Sequence, residues 1–126
     1  MTPAETGRAG EEAAAAFLEA RGMRVMDRNF RFNREEIDLV CFEPVRDSGT
    51  IVVVEVKARR GTGFGAPEAA VDAAKQKAIM RVTEAYLHER RLMPAPVRFD
   101  VVAVTFSPGA SEPRIEHFVN AFGYFV

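Results

Sequence analysis

The sequence predicts an α/β domain: a mixed β-sheet flanked by helices, with elements in the order α-β-β-β-α-β-β. Three observations carry this. In Ile51 to Lys57 three valines follow an isoleucine, the continuous β-branched run of a central strand buried on both faces. The Ala- and Glu-rich stretch Ala4 to Arg21 favours helix and is followed by Gly22, where a C-terminal glycine belongs. A second helical stripe, Val71, Ala74, Ala78, Ile79, Val82, Ala85 and Tyr86, lies between strand-like segments and reads as a crossover.

The elements follow in order. In the first helix Gly7, Gly10, Ala14, Phe17 and Leu18 recur at helical spacing and mark the buried face. Met23 to Phe30 alternates apolar and charged residues and reads as a strand. Glu36 to Glu43 is a second strand, with Ile37, Leu39 and Cys41 on one face and Glu36, Asp38, Val40 and Phe42 on the other. Pro44 to Thr50 has turn composition, and Arg59 to Pro67, with three glycines and a proline, reads as a loop long enough to be functional. Asp72 can cap the second helix, which runs to about Arg91 before Pro94 and Pro96. Val97 to Thr105 is a strand, Ser107 to Pro113 a turn and Arg114 to Val119 the last strand. The tail Asn120 to Val126 carries Phe122, Tyr124 and Phe125, which dock on the core or on a partner.

At 126 residues the chain is read as a single domain, residues 1–126, large enough for one real core. Seventeen Lys and Arg against eighteen Asp and Glu give a net charge of −1, which excludes coating nucleic acid by bulk charge but leaves room for a local basic face. The single Cys41 excludes an internal disulfide framework and a Cys-based zinc site, and reads as a small core residue. The longest apolar run, Ala13 to Leu18, is too short to cross a bilayer, and no secretory leader opens the chain. A soluble, cytoplasmic protein without membrane contact is the expectation. A Ser-His-Asp order is absent, and Gly61, Gly63 and Gly65 lack the strand-to-helix context of a dinucleotide fingerprint.

The chemistry-bearing residues are acids and a lysine on strands. Val53, Glu55 and Lys57 share a face, opposite Val52, Val54 and Val56. A carboxylate and an ammonium at the end of a central strand must pair, bind a ligand or shift pKa. If the second and third strands form a hairpin, Asp38 lies beside Glu55. Two adjacent carboxylates repel, and a divalent cation with oxygen ligands relieves that, with the lysine beside it to orient water or stabilise phosphate charge. A structural ion-pair cluster at a sheet end accounts for the same spacing.

Several segments bear a family resemblance. They are Gly10-Glu11, Asn29-Phe30-Arg31, Glu36-Ile37-Asp38-Leu39, Val54-Glu55-Val56-Lys57-Ala58-Arg59, Ala74-Lys75-Gln76, Arg98-Phe99-Asp100-Val101-Val102 and Asn120-Ala121-Phe122. In this order, over nearly the whole chain, the sequence resembles the YraN-like family of small bacterial proteins. That family in turn resembles the archaeal Holliday-junction resolvases and the wider PD-(D/E)xK, restriction-endonuclease-like superfamily. The resemblance implies a restriction-endonuclease-like core with a Mg2+- or Mn2+-dependent phosphodiesterase site. It implies Asp38, Glu55, Lys57 and Glu11 as catalytic residues, with Gln76 accessory, and Asp38, Glu55 and Glu11 as metal ligands. One departure is Glu35, where the family usually has glycine; it adds a carboxylate beside Glu36.

Other residues admit two readings. Glu11 borders the apolar face of the first helix, where a solvated acid near the N-terminus is also favoured. Arg24, Arg28 and Arg31 interleave with Phe30 and Phe32, and Arg59 and Arg60 add a second basic cluster; this suits phosphate contact and base stacking, or equally a solvated strand with core phenylalanines. Lys75 falls inside the apolar stripe of the second helix, so its ammonium either meets the Asp38 and Glu55 cluster or snorkels to solvent. His88 suits the C-terminal end of that helix, and His117 has no second histidine at ligand spacing.

Three functions remain open from the sequence. The first is a Mg2+- or Mn2+-dependent endonuclease on DNA, branched or single-stranded, working as a homodimer by analogy with resolvases. The second is a nucleic-acid-binding module on the same fold without cleavage. The third is an interaction protein using its aromatic tail.

Overall fold

The computed structural model describes residues 1–61 and 71–123. Thr2 caps α1 (Pro3–Ala20): its side chain accepts the Glu5 amide hydrogen, the Glu5 carboxylate takes the Thr2 N–H in return, and Pro3 fills the first turn. At the other end Gly22 adopts φ +94°, its N–H reaching the Glu19 carbonyl while that of Met23 reaches Leu18. This is the Schellman closure a glycine permits.

Five strands follow, with one helix among them: β1 (Arg24–Phe32), β2 (Glu35–Val45), β3 (Ser48–Arg60), α2 (Ala73–Glu89), β4 (Val97–Phe106) and β5 (Arg114–Phe122). They form one mixed sheet in the order β1-β2-β3-β4-β5. β3 and β4 are parallel and the other neighbours antiparallel, so the chain between β3 and β4 crosses over through α2. Asp72 caps α2 by accepting the Lys75 N–H at 2.8 Å.

The two helices cover opposite faces. Ala14, Ala15 and Leu18 of α1 pack with Leu39, Cys41, Val52, Val54, Val102 and Val104. Ile79, Val82 and Tyr86 of α2 pack with Ile37, Val40, Ile51, Val53, Phe99 and Val101. β3 is therefore buried on both sides over Ile51–Val54, as its β-branched run predicts. α1 approaches β3 closely because Gly10 lacks a side chain: a Cβ there would stand 2.3 Å from the Cβ of Ala58.

Several boundaries differ from the sequence reading. Pro44, Val45 and Ser48 to Thr50 belong to strands, and the β2–β3 turn is only Arg46 and Asp47, with Arg46 at φ +52°. Turn-like composition here marks a short hairpin loop and its paired flanks. Arg59 and Arg60 continue β3, and Asn120 to Phe122 continue β5. Gly61 follows with φ +102° and donates its N–H to the Phe106 carbonyl, whereas residues 62–67 of the expected glycine loop, and Tyr124 and Phe125 of the tail, lie outside the described residues.

One correction shapes the site. Simple alternation put Ile37, Leu39 and Cys41 on one face, but Ile37 packs on the α2 side while Leu39 and Cys41 pack on the α1 side. The face switches at Asp38. The neighbouring β1 switches too: Arg28 pairs with Glu12 of α1, whereas Phe30 lies edge-on to Tyr86 of α2. Between them Asn29 holds φ +51°, a left-handed conformation that asparagine tolerates better than most residues.

Candidate active site

The β2–β3 ladder runs from Val45 opposite Ser48 to Leu39 opposite Val54 and stops there. Beyond it β2 stays paired with β1 as far as Glu35, and β3 stays paired with β4 as far as Arg60. Where the two strands part, the Asp38 carboxylate accepts the Val56 N–H at 2.8 Å. A side chain thus takes a place that a backbone carbonyl would fill in a continued ladder, satisfying a donor that would otherwise be orphaned.

Acids converge on this point from two elements. Glu11 of α1, Glu36 and Asp38 each offer a carboxylate oxygen, and these oxygens all lie within 4.8 Å of one another. The Asn29 amide donates to Glu11 Oε1 and to Glu36 Oε1, each at 3.0 Å, and Arg31 Nε donates to Glu36 Oε2 at 2.8 Å. Glu55 approaches from the α2 side, where Lys75 Nζ lies 3.9 Å from its Oε1. Burial, then the charges of Glu55, Glu11 and Glu36, push the Asp38 carboxyl up to about 7 against the lowering effect of the Val56 N–H. Burial also raises Glu55, opposed by Lys75 and Lys57.

The structure therefore brings Glu11, Asp38, Glu55, Lys57 and Lys75 into one electrostatic neighbourhood. The tight oxygen cluster, however, is Glu11, Glu36 and Asp38, with Glu55 outside it. Glu36 and Asn29 were not singled out as site residues by sequence reasoning. Glu36 had a signal, sharing a face with Asp38; Asn29 had only its place in a family-like segment. Gln76 turns to the backbone, its Nε2 donating to the Val71 carbonyl at 2.7 Å. Lys75 follows both readings at once, its side chain 48% exposed yet within reach of Glu55. Glu35 leaves the cluster by pairing with Arg81 of α2 at 2.7 Å.

The arginines of β1 are engaged locally. Arg24 stacks over Phe42 at 5.6 Å, Arg28 pairs with Glu12 and Arg31 with Glu36. Phe30 is partly buried against the α2-side core, while Phe32 is 45% exposed. Arg59 is half-buried at the end of β3, and Arg60 is exposed.

A second polar cluster lies on β4 and its neighbours. Asp100 is fully buried and accepts both Arg98 Nε and Nη2 at 2.9 Å, with His117 Nε2 at 2.7 Å and the Asn120 N–H at 2.9 Å. Arg98 also reaches Glu43 at 2.7 Å. Burial alone would raise the Asp100 carboxyl, but these donors outweigh it and hold it below its ordinary value. The partner of His117 is thus an acid, which a search for a second histidine misses.

Carboxylates and lysines thus gather where the mixed α/β sheet divides. The chain belongs to the UPF0102 family: the model of that family, described as an uncharacterised protein family, matches residues 10–104. It is 46% identical over 114 residues to UPF0102 protein GSU0650 of Geobacter sulfurreducens, covering 90% of this chain and 84% of the relative. It is 49% identical over 102 residues to UPF0102 protein STH1475 of Symbiobacterium thermophilum, covering 81% and 83%. A UPF0102 protein of Syntrophotalea carbinolica is 45% identical over 116 residues, covering 92% and 89%. Among the described residues, no helix is long and apolar enough to cross a membrane.

Proposed function

We propose that this chain is a divalent-metal-dependent phosphodiesterase acting on DNA. The observation that carries the reading is the convergence of Glu11, Glu36 and Asp38 oxygens within 4.8 Å, beside Glu55 and two lysines. Three carboxylates from two elements suit a hard cation such as Mg2+ or Mn2+. Such a cation, when bound, supplies Lewis-acid polarisation of a phosphoryl oxygen.

The chain's own residues divide the remaining work. Glu11, Glu36 and Asp38 hold the cation, and the Val56 N–H fixes the Asp38 carboxylate. Lys57 offers positive charge to a phosphate or orients a water. Lys75 and Lys57 place positive charge against Glu55, the fourth carboxylate of the group. The likeness to resolvases favours branched or single-stranded DNA, with a homodimer serving two scissile strands.

The test is incubation with branched, flapped and single-stranded DNA in Mg2+ or Mn2+. Cleavage is expected in the natural chain and lost in Asp38→Asn and Lys57→Ala, both still folded. Binding without product on every substrate would favour the non-catalytic nucleic-acid module.

A further inference from the structure

We infer that Asn29 is a positioning residue that holds Glu11 and Glu36 together for a cation, an inference that rests on the metal reading above. Its side-chain nitrogen lies 3.0 Å from Glu11 Oε1 and 3.0 Å from Glu36 Oε1. Reversing the amide would set its oxygen against two carboxylates, so the surroundings dictate which atom points inward. Both N–H bonds are then spent on joining α1 to β2, with β1 supplying the link.

The backbone serves this placement. Asn29 has φ +51°, and the strand changes face there, with Arg28 directed to α1 and Phe30 to α2. A residue that tolerates left-handed backbone and carries two donors meets both needs.

The neutrality of the amide matters. A lysine or arginine bridging Glu11 and Glu36 would cancel charge that a cation needs and compete for its place. An amide restrains the oxygens without adding charge, and each carboxylate oxygen keeps lone pairs beyond the one it gives to Asn29. Arg31 pairs with Glu36 at 2.8 Å on the oxygen that does not meet Asn29, so its charge does not stand between Glu11 and Glu36.

Asn29→Gly tests this, because glycine keeps the positive φ and removes only the amide. Mn2+ affinity measured by calorimetry is expected to fall about tenfold or more, as when an outer-shell partner of a metal ligand is lost. Equal affinity in Asn29→Gly and the natural chain overturns the role. No Mn2+ uptake by the natural chain overturns the metal reading itself, and the role with it. Melting of Asn29→Gly with and without Mn2+ guards against a folding defect. Having lost the amide, it should be raised in melting temperature by Mn2+ less than the natural chain is. An equal rise would also overturn the role.

Discussion

The Asp38 carboxylate accepts the Val56 N–H at 2.8 Å, at the place where β2 and β3 stop pairing. One side chain therefore closes the end of a ladder and also presents a carboxylate oxygen to Glu11 and Glu36. Strand geometry and site geometry share a single carboxylate.

That double duty predicts a pH dependence. The folded Asp38 carboxyl titrates near 7, against an ordinary value of 3.8. Between those values the folded state keeps a proton that the unfolded chain has released, so its contribution to stability is full below the lower value. It is lost as pH rises toward 7 and does not return above it. Asp38→Asn keeps an acceptor for Val56 without titrating. Urea unfolding of metal-free protein should show the natural chain losing stability relative to Asp38→Asn from about pH 4 to about pH 7, with a constant difference above. A difference independent of pH would contradict the assignment.

Cation binding should follow the oxygen cluster. Glu11→Gln, Glu36→Gln and Asp38→Asn are each expected to weaken Mn2+ binding by about tenfold or more, since losing a ligand costs at least as much as losing a ligand's support. Glu55→Gln should weaken it less, its carboxylate lying outside the cluster. The reverse order in calorimetry would move the cation to the β3 side.

Gly10→Ala should destabilise the fold by about 1–3 kcal/mol, because the new methyl would overlap the Cβ of Ala58 at 2.3 Å. Ala58→Gly in the same chain should recover most of that loss. Denaturant midpoints of the two single variants and the double variant check this; additive losses would show that the two positions do not meet.

Asp100→Ala should cost about 3–5 kcal/mol, because it strands the buried side of Arg98 and removes the partner of His117. Thermal and urea unfolding measure it. A loss below about 1 kcal/mol would mean that the Arg98 link to Glu43 carries the cluster alone.

If the chain binds duplex DNA, each phosphate contact contributes about −0.9 to the slope of log K against log salt. Charge removal at Arg60, exposed at the end of β3, should flatten that slope. Removal at Arg28 and Arg31 should flatten it less, since each already faces an acid of the chain. Equal flattening at all three in binding titrations would return β1 to the DNA face.

The order of elements was legible because it rests on local pattern. The valines of β3, the glycine closing α1 and the Asp72 cap each act over a few residues. The candidate site was legible in part as a place, since Asp38, Glu55 and Lys57 are charges on otherwise apolar strands that the structure brings near one another. The alternation rule failed at Asp38 because a side chain lying toward the strand gap belongs to neither face. Glu36 needed Asn29 to become visible, and Asn29 needed a backbone angle that no periodicity reports. Asp100 stood in plain view inside an apolar strand, yet its partners come from β5 and its own strand. A carboxylate enclosed on β4 announces that it must be paired, not with what.

The sheet keeps its strands in the order of the chain, β1-β2-β3-β4-β5. That has a consequence in time. Glu11, Glu36 and Asp38 all precede the crossover through α2, and the two hairpins that carry β1 to β3 close over short spans of chain. Such local pairings form sooner than a parallel contact that must first close a long loop. During synthesis, the acid cluster is expected to gather while β4 is still being made, leaving the β3–β4 seam to close last. Pulsed hydrogen exchange during refolding should then protect β1–β2 amides before those of β4, and simultaneous protection would contradict this order.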